Sequence, residues 1–164
     1  MRDYLRFLIV VLGAVAAAAI PCANFAAGGG GGGGVEIETK PVDPNYEQAE
    51  KAIKAEKWDE AIELLNRAAA RDDKNADVYN YLGYAERHRG NMDAAFKNYD
   101  KALALDPKHR GAHEYLGEAY LQAGNVAKAE EQLAALDKIC FFSCHEFREL
   151  RDKIAQYKQK QARQ

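Results

Sequence analysis

From Asp43 onward, apolar and small residues fall at helical spacings of three and four, and the pattern then repeats. Between 76 and 107, Tyr79, Leu82 and Gly83 mark one predicted helix, Ala95, Tyr99 and Ala102 a second, and Asp106-Pro107 ends the unit. The frame recurs on both sides. Ala61, Ala95 and Ala129 stand 34 residues apart, as do Leu82 and Leu116, Gly83 and Gly117, Gly90 and Gly124, and Ala68 and Ala102. Three helix pairs are therefore predicted over 43–75, 76–109 and 110–139. Asp43 is expected to cap the first helix and Pro44 to occupy its first position. After the third pair the pattern breaks, because Leu136 replaces the small residue of the earlier units and no proline follows. Phe147, Leu150, Ile154 and Tyr157 then form one apolar stripe, which predicts a corner and a capping helix within 140–160, the helix sealing the open end of the third pair. Ser143 and Glu146 have the spacing of a capping box, placing its start near Cys144. The polar tail, 161–164, is expected to fray.

This 34-residue unit resembles the tetratricopeptide repeat family. The resemblance implies an all-α fold, an α-solenoid of three helix-turn-helix pairs plus a C-terminal capping helix, and binding rather than catalysis as its work. Gly83 and Gly117 on the A helices are expected to face Ala95 and Ala129 on the B helices and let them cross closely. Gly90 and Gly124 are expected at the A-to-B corners with positive φ. The first unit is degenerate, with Gln48-Ala49 in place of Leu-Gly and Glu56 in place of the corner glycine. Glu86 likewise stands where the family usually has a tyrosine.

In this family the concave surface carries the partner. Projecting its A-helix offsets onto the chain implies a groove with Asn80, Tyr81, Tyr84, Arg87, Glu114, Tyr115 and Glu118 as partner-binding residues. The tyrosines would anchor a protein or peptide segment, and Asn80 and Arg87 would bond its backbone or acids. Positions that clamp a terminal carboxylate in the family's chaperone-tail binders hold Glu50, Tyr81, Gly111 and Tyr115 here, which disfavours that subclass. Trp58, entering the second helix, is expected to fill the core. The block from Gln132 through Cys140, Cys144 and Glu146 to Ile154 is similar to small exported bacterial members of the family.

Composition changes this picture little. The chain is 48% hydrophobic and 29% charged with a net charge of −2, so no electrostatic case exists for nucleic acid. The N-terminus does change it. Arg2 and Arg6 precede an apolar run from Phe7 to Ile20, followed by small residues, the pattern of an export signal over 1–26 cleaved near Ala26, with Ala19 the other candidate. A membrane contact is expected only if that segment is kept as an anchor. Cys22 follows Pro21, a departure from the lipid-attachment pattern. Gly28 to Gly34 is unbroken glycine, so 27–42 is read as a flexible linker. These features and the family resemblance imply an exported, periplasmic protein.

Removal of the leader leaves Cys140 and Cys144. An even count in an exported chain suggests a disulfide. The other reading is a metal or redox carrier using Cys140, Cys144 and His145. Haem is disfavoured, since three residues separate the cysteines where the attachment motif has two. Phe141 and Phe142 between them look like hydrophobic anchors. No nucleophile with a base, metal-hydrolase motif or phosphate loop is visible, so neither enzyme activity nor a cofactor is expected.

Overall fold

The computed structural model describes residues 42–163, and the expected leader, the glycine run and the linker as far as residue 41 lie outside them. The described residues form seven helices: α1 (Pro44–Lys54), α2 (Trp58–Arg71), α3 (Ala76–Arg89), α4 (Met92–Leu105), α5 (Arg110–Gln122), α6 (Val126–Ile139) and α7 (His145–Gln161). They stack as three antiparallel pairs with α7 laid against α5 and α6.

Each A-to-B corner uses one device. The amide of Lys57, Asn91 or Asn125 donates back to the carbonyl of Ala52, Glu86 or Tyr120, at 2.9, 2.9 and 2.8 Å. That closure needs a left-handed residue just before the donor. Gly90 supplies it at φ 92°, Gly124 at 77°, and Glu56 at 55° despite its side chain. Left-handed backbone costs a side-chain-bearing residue roughly 1–2 kcal/mol, against a glycine entropy penalty of about 0.5–1 kcal/mol. Glu56→Gly is therefore expected to gain about 0.5–1 kcal/mol in urea unfolding. A Cβ at Gly90 would meet nothing within 4 Å. Gly90→Ala should therefore lose about 1 kcal/mol from the backbone alone.

Asp43 caps α1, accepting from the Asn45 amide at 2.7 Å. Asn75, Asn91 and Asn125 do the same for α3, α4 and α6. The entry to α7 differs from expectation. Its N-cap is Cys144, whose side chain makes no capping bond, and Ser143 stands one residue outside at φ 25°. The Ser143–Glu146 capping box is therefore not formed; the Ser143 carbonyl instead accepts from Arg148 at 2.7 Å. The helix ends at Gln161, one residue beyond the expected boundary.

The crossing points differ too. A Cβ at Gly83 would lie 2.6 Å from the ring of Tyr99, and one at Gly117 would lie 2.5 Å from Leu150. The closest neighbours of these glycines are thus not Ala95 and Ala129, though both alanines are fully buried. Gly83 admits the ring of its own B helix, whereas Gly117 admits a leucine of α7. Leu150 and Ile154 close the stack against Leu121, Ala129 and Leu136, with Phe147 and Tyr157 beside them.

Candidate functional site

On α3, residues 77, 80, 81, 84 and 87 share one face, and on α5 residues 111, 114, 115 and 118 do so. At the N-terminal end of these faces the chain leaves a cleft of about 500 Å³. Asn80 and Tyr81 line it from α3, Glu114 and Tyr115 from α5, and His145 and Glu146 from the start of α7.

The other three expected groove residues are engaged by neighbouring side chains, Arg87 buried and Tyr84 and Glu118 half-buried. The Tyr84 ring lies 4.8 Å from Tyr115, 4.4 Å from His88 and 6.1 Å from Trp58, which itself stacks on His88 at 4.6 Å. Trp58 is thus filler between repeats. Arg87 sits over the Tyr84 ring and donates to Glu118 Oε2 at 2.8 Å. Lys153 of α7 takes the other Glu118 oxygen. The capping helix therefore occupies the C-terminal half of the groove with its own lysine and leaves the N-terminal half open.

Within the cleft most charges are paired. His109 caps α5 by accepting the Ala112 amide on Nδ1 at 3.0 Å, so its Nε2–H is the donor to Asp77 at 2.9 Å. That imidazole holds the Asp77 carboxyl below its ordinary range. Arg110 approaches Glu146 at 3.7 Å. The Tyr81 hydroxyl donates to Glu50 at 3.5 Å, and burial pushes both Tyr81 and Tyr115 up.

Glu114 differs. It is 9% exposed and has no hydrogen bond or ion pair among the described residues. Burial first, then the charge of Glu118, pushes its carboxyl up to about 7. An acid whose folded value exceeds its unfolded one favours folding fully below the unfolded value, and that contribution is lost as pH rises through the folded one. Glu114→Gln should therefore melt at a higher temperature than the parent at pH 8, with the difference fading towards pH 4.5, the ordinary glutamate value. Thermal melts at both pH values check this.

Asp106, Lys108, His109 and Arg110 also line the cleft. The offsets counted along A helices do not include them, because they lie in the corner before α5 or at its first residue. The charged run Asp106-Pro107-Lys108-His109-Arg110 was the available signal. Cys140 and Cys144 do not converge with His145 on a common centre. Their side chains face each other, with Cα atoms 5.5 Å apart, and the His145 ring faces Glu149 at 3.7 Å. Phe141 and Phe142 stand 90% and 85% exposed, their rings edge to face at 4.8 Å.

Two models of the tetratricopeptide repeat match the sequence, over residues 46–109 and 86–139. No curated protein matches it. Among solved structures, the type III secretion translocator chaperone SycD of Yersinia enterocolitica is 19% identical, with a TM-score of 0.64 over 72% of this chain and 83% of that one. SycD in complex with a peptide of the translocator YopD is 22% identical, with a TM-score of 0.60 over 69% and 86%. The first TPR of Spaghetti (RPAP3), bound to the HSP90 peptide SRMEEVD, is 22% identical, with a TM-score of 0.61 over 68% and 90%. At these identities the likeness is one of fold.

Proposed function

The chain belongs to the tetratricopeptide repeat family, and from that premise we propose that it is a protein-interaction module, an assembly adaptor holding a segment of a partner protein in the cleft between α3, α5 and α7. The observation that carries this reading is the open N-terminal half of the groove, lined by Asn80, Tyr81, Glu114 and Tyr115. Its volume suits a few residues of an extended segment. Solved neighbours of the same fold hold peptides, which supports the same use of the concave face. The binding needs no bond-making step, so the proposal is of a binder and not an enzyme.

The place of work we propose is the bacterial cell envelope. The charged and apolar pattern of residues 2–20 supports export, and in an oxidising compartment Cys140 and Cys144 would be bridged. Phe141 and Phe142 lie outside the cleft and offer a second apolar contact to a partner docked at the α6–α7 corner.

Recovery of exported proteins on immobilised wild type and on a folded Tyr81→Ala/Tyr115→Ala variant tests the cleft. The expected result is a partner held by the wild type and lost by the variant. Equal recovery would move the binding surface elsewhere.

A further inference from the structure

We propose that the cleft selects a basic residue of the bound segment, seating a lysine ammonium or arginine guanidinium against Glu114 while Asn80 holds the neighbouring backbone. This deepens the binding reading above and rests on it.

Two polar side chains lining the cleft have no hydrogen-bond partner among the described residues. Glu114 and Asn80 are 9% and 5% exposed, and neither side chain makes a hydrogen bond or ion pair among the described residues. Buried polar groups without partners are rare, because each loses its hydration and regains nothing. The surrounding charges are already engaged. Asp77 has His109, Glu146 has Arg110, and Glu118 has both Arg87 and Lys153. Lys153, the nearby cation on α7, makes its ion pair with Glu118, so Glu114 feels its charge and that of His145 without a direct ion pair to either.

The chemistry of the missing partner follows from what these two groups offer. A cation brought into the cleft favours the ionised form of Glu114, which is acceptor only and therefore takes a cationic donor. The Oδ1 of Asn80 is enclosed without a donor. Its amide nitrogen is the end left for the cleft, where it can donate to a peptide carbonyl. Across from it, Gly111 has no Cβ; one placed there would lie 3.3 Å from Asn80 Nδ2 and crowd this approach. Tyr81 and Tyr115 supply flat walls for the aliphatic stem of a lysine or arginine.

An acidic segment would meet Lys108 and Arg110 at the rim, both exposed and therefore screened. It would also bring a like charge to Glu114. The buried carboxylate interacts in a lower dielectric, so its preference outweighs that of the rim. A metal ion is a poorer occupant, since the described residues contain no group of three ligating side chains.

The test is a random nonapeptide library, N-acetylated to remove the terminal ammonium, panned against the full chain and against Glu114→Gln. The wild type is expected to enrich lysine or arginine at one position by about tenfold or more, corresponding to one strong charged contact. Glu114→Gln should still select peptides, with that position returned to library frequency. Asn80→Ala should weaken the selected peptides generally and leave the basic preference in place. Enrichment without a basic residue, or the same basic enrichment on Glu114→Gln, would overturn this inference while leaving the cleft as a binding site. Failure of the wild type to enrich any sequence would overturn both.

Discussion

Replacing Leu150 with alanine is expected to destabilise the chain by about 3–5 kcal/mol, the cost of emptying a fully buried leucine site that cannot collapse. The informative experiment couples it to Gly117. A Cβ at Gly117 would lie 2.5 and 2.7 Å from the Leu150 methyls and 3.2 Å from its Cγ. Alone, Gly117→Ala gains about 1 kcal/mol of helix propensity, and overpacking costs about 1–3 kcal/mol or more. The clash is expected to outweigh the gain, because Leu150 is fully buried and both its methyls and its Cγ face the new Cβ. In the Leu150→Ala background the clash is gone and only the propensity remains, so the same substitution should then stabilise by about 1 kcal/mol. Urea unfolding of the four proteins reads the coupling directly. Simple additivity would mean that α7 is not seated on Gly117.

The second large effect concerns the buried charges beneath the groove. Glu118→Ala is expected to cost about 3–5 kcal/mol, since it strands Arg87, whose side chain is only 10% exposed, and releases Lys153 as well. Arg87→Ala should cost less, because Glu118 keeps Lys153. An apolar pair, Arg87→Met with Glu118→Leu, should recover most of the loss. That recovery, seen in thermal melts, would identify the penalty as an uncompensated charge and not a missing contact.

These two sites also explain what the sequence could and could not reveal. The helix pairs and their corner glycines were legible, because helix spacing and corner geometry act locally. Gly90 and Gly124 adopt positive φ as expected, and even the degenerate Glu56 follows them. The partners of the crossing glycines were not legible. Gly83 and Gly117 occupy equivalent places in the period, yet one admits Tyr99 of its own repeat and the other Leu150 of α7. Only tertiary packing decides that.

The groove shows the same division. Projecting family offsets placed Asn80, Tyr81, Glu114 and Tyr115 together in the cleft. It also placed Tyr84, Arg87 and Glu118 on that face, and could not foresee that Trp58, His88 and Lys153 would cover them. Lys153 lies 35 residues from Glu118 in sequence, on a helix outside the repeat. The α7 capping box is absent for a local reason: Ser143 sits at φ 25°, one residue outside the N-cap position that Cys144 takes.

The central claim is that the open half of the groove holds a partner segment. A photo-crosslinking phenylalanine analogue at Tyr81, compared with the same analogue at exposed Lys97 on α4, addresses it most directly. Irradiation in the native host should yield a covalent adduct from position 81 and none from position 97. An adduct from position 97 with none from position 81 would contradict the account.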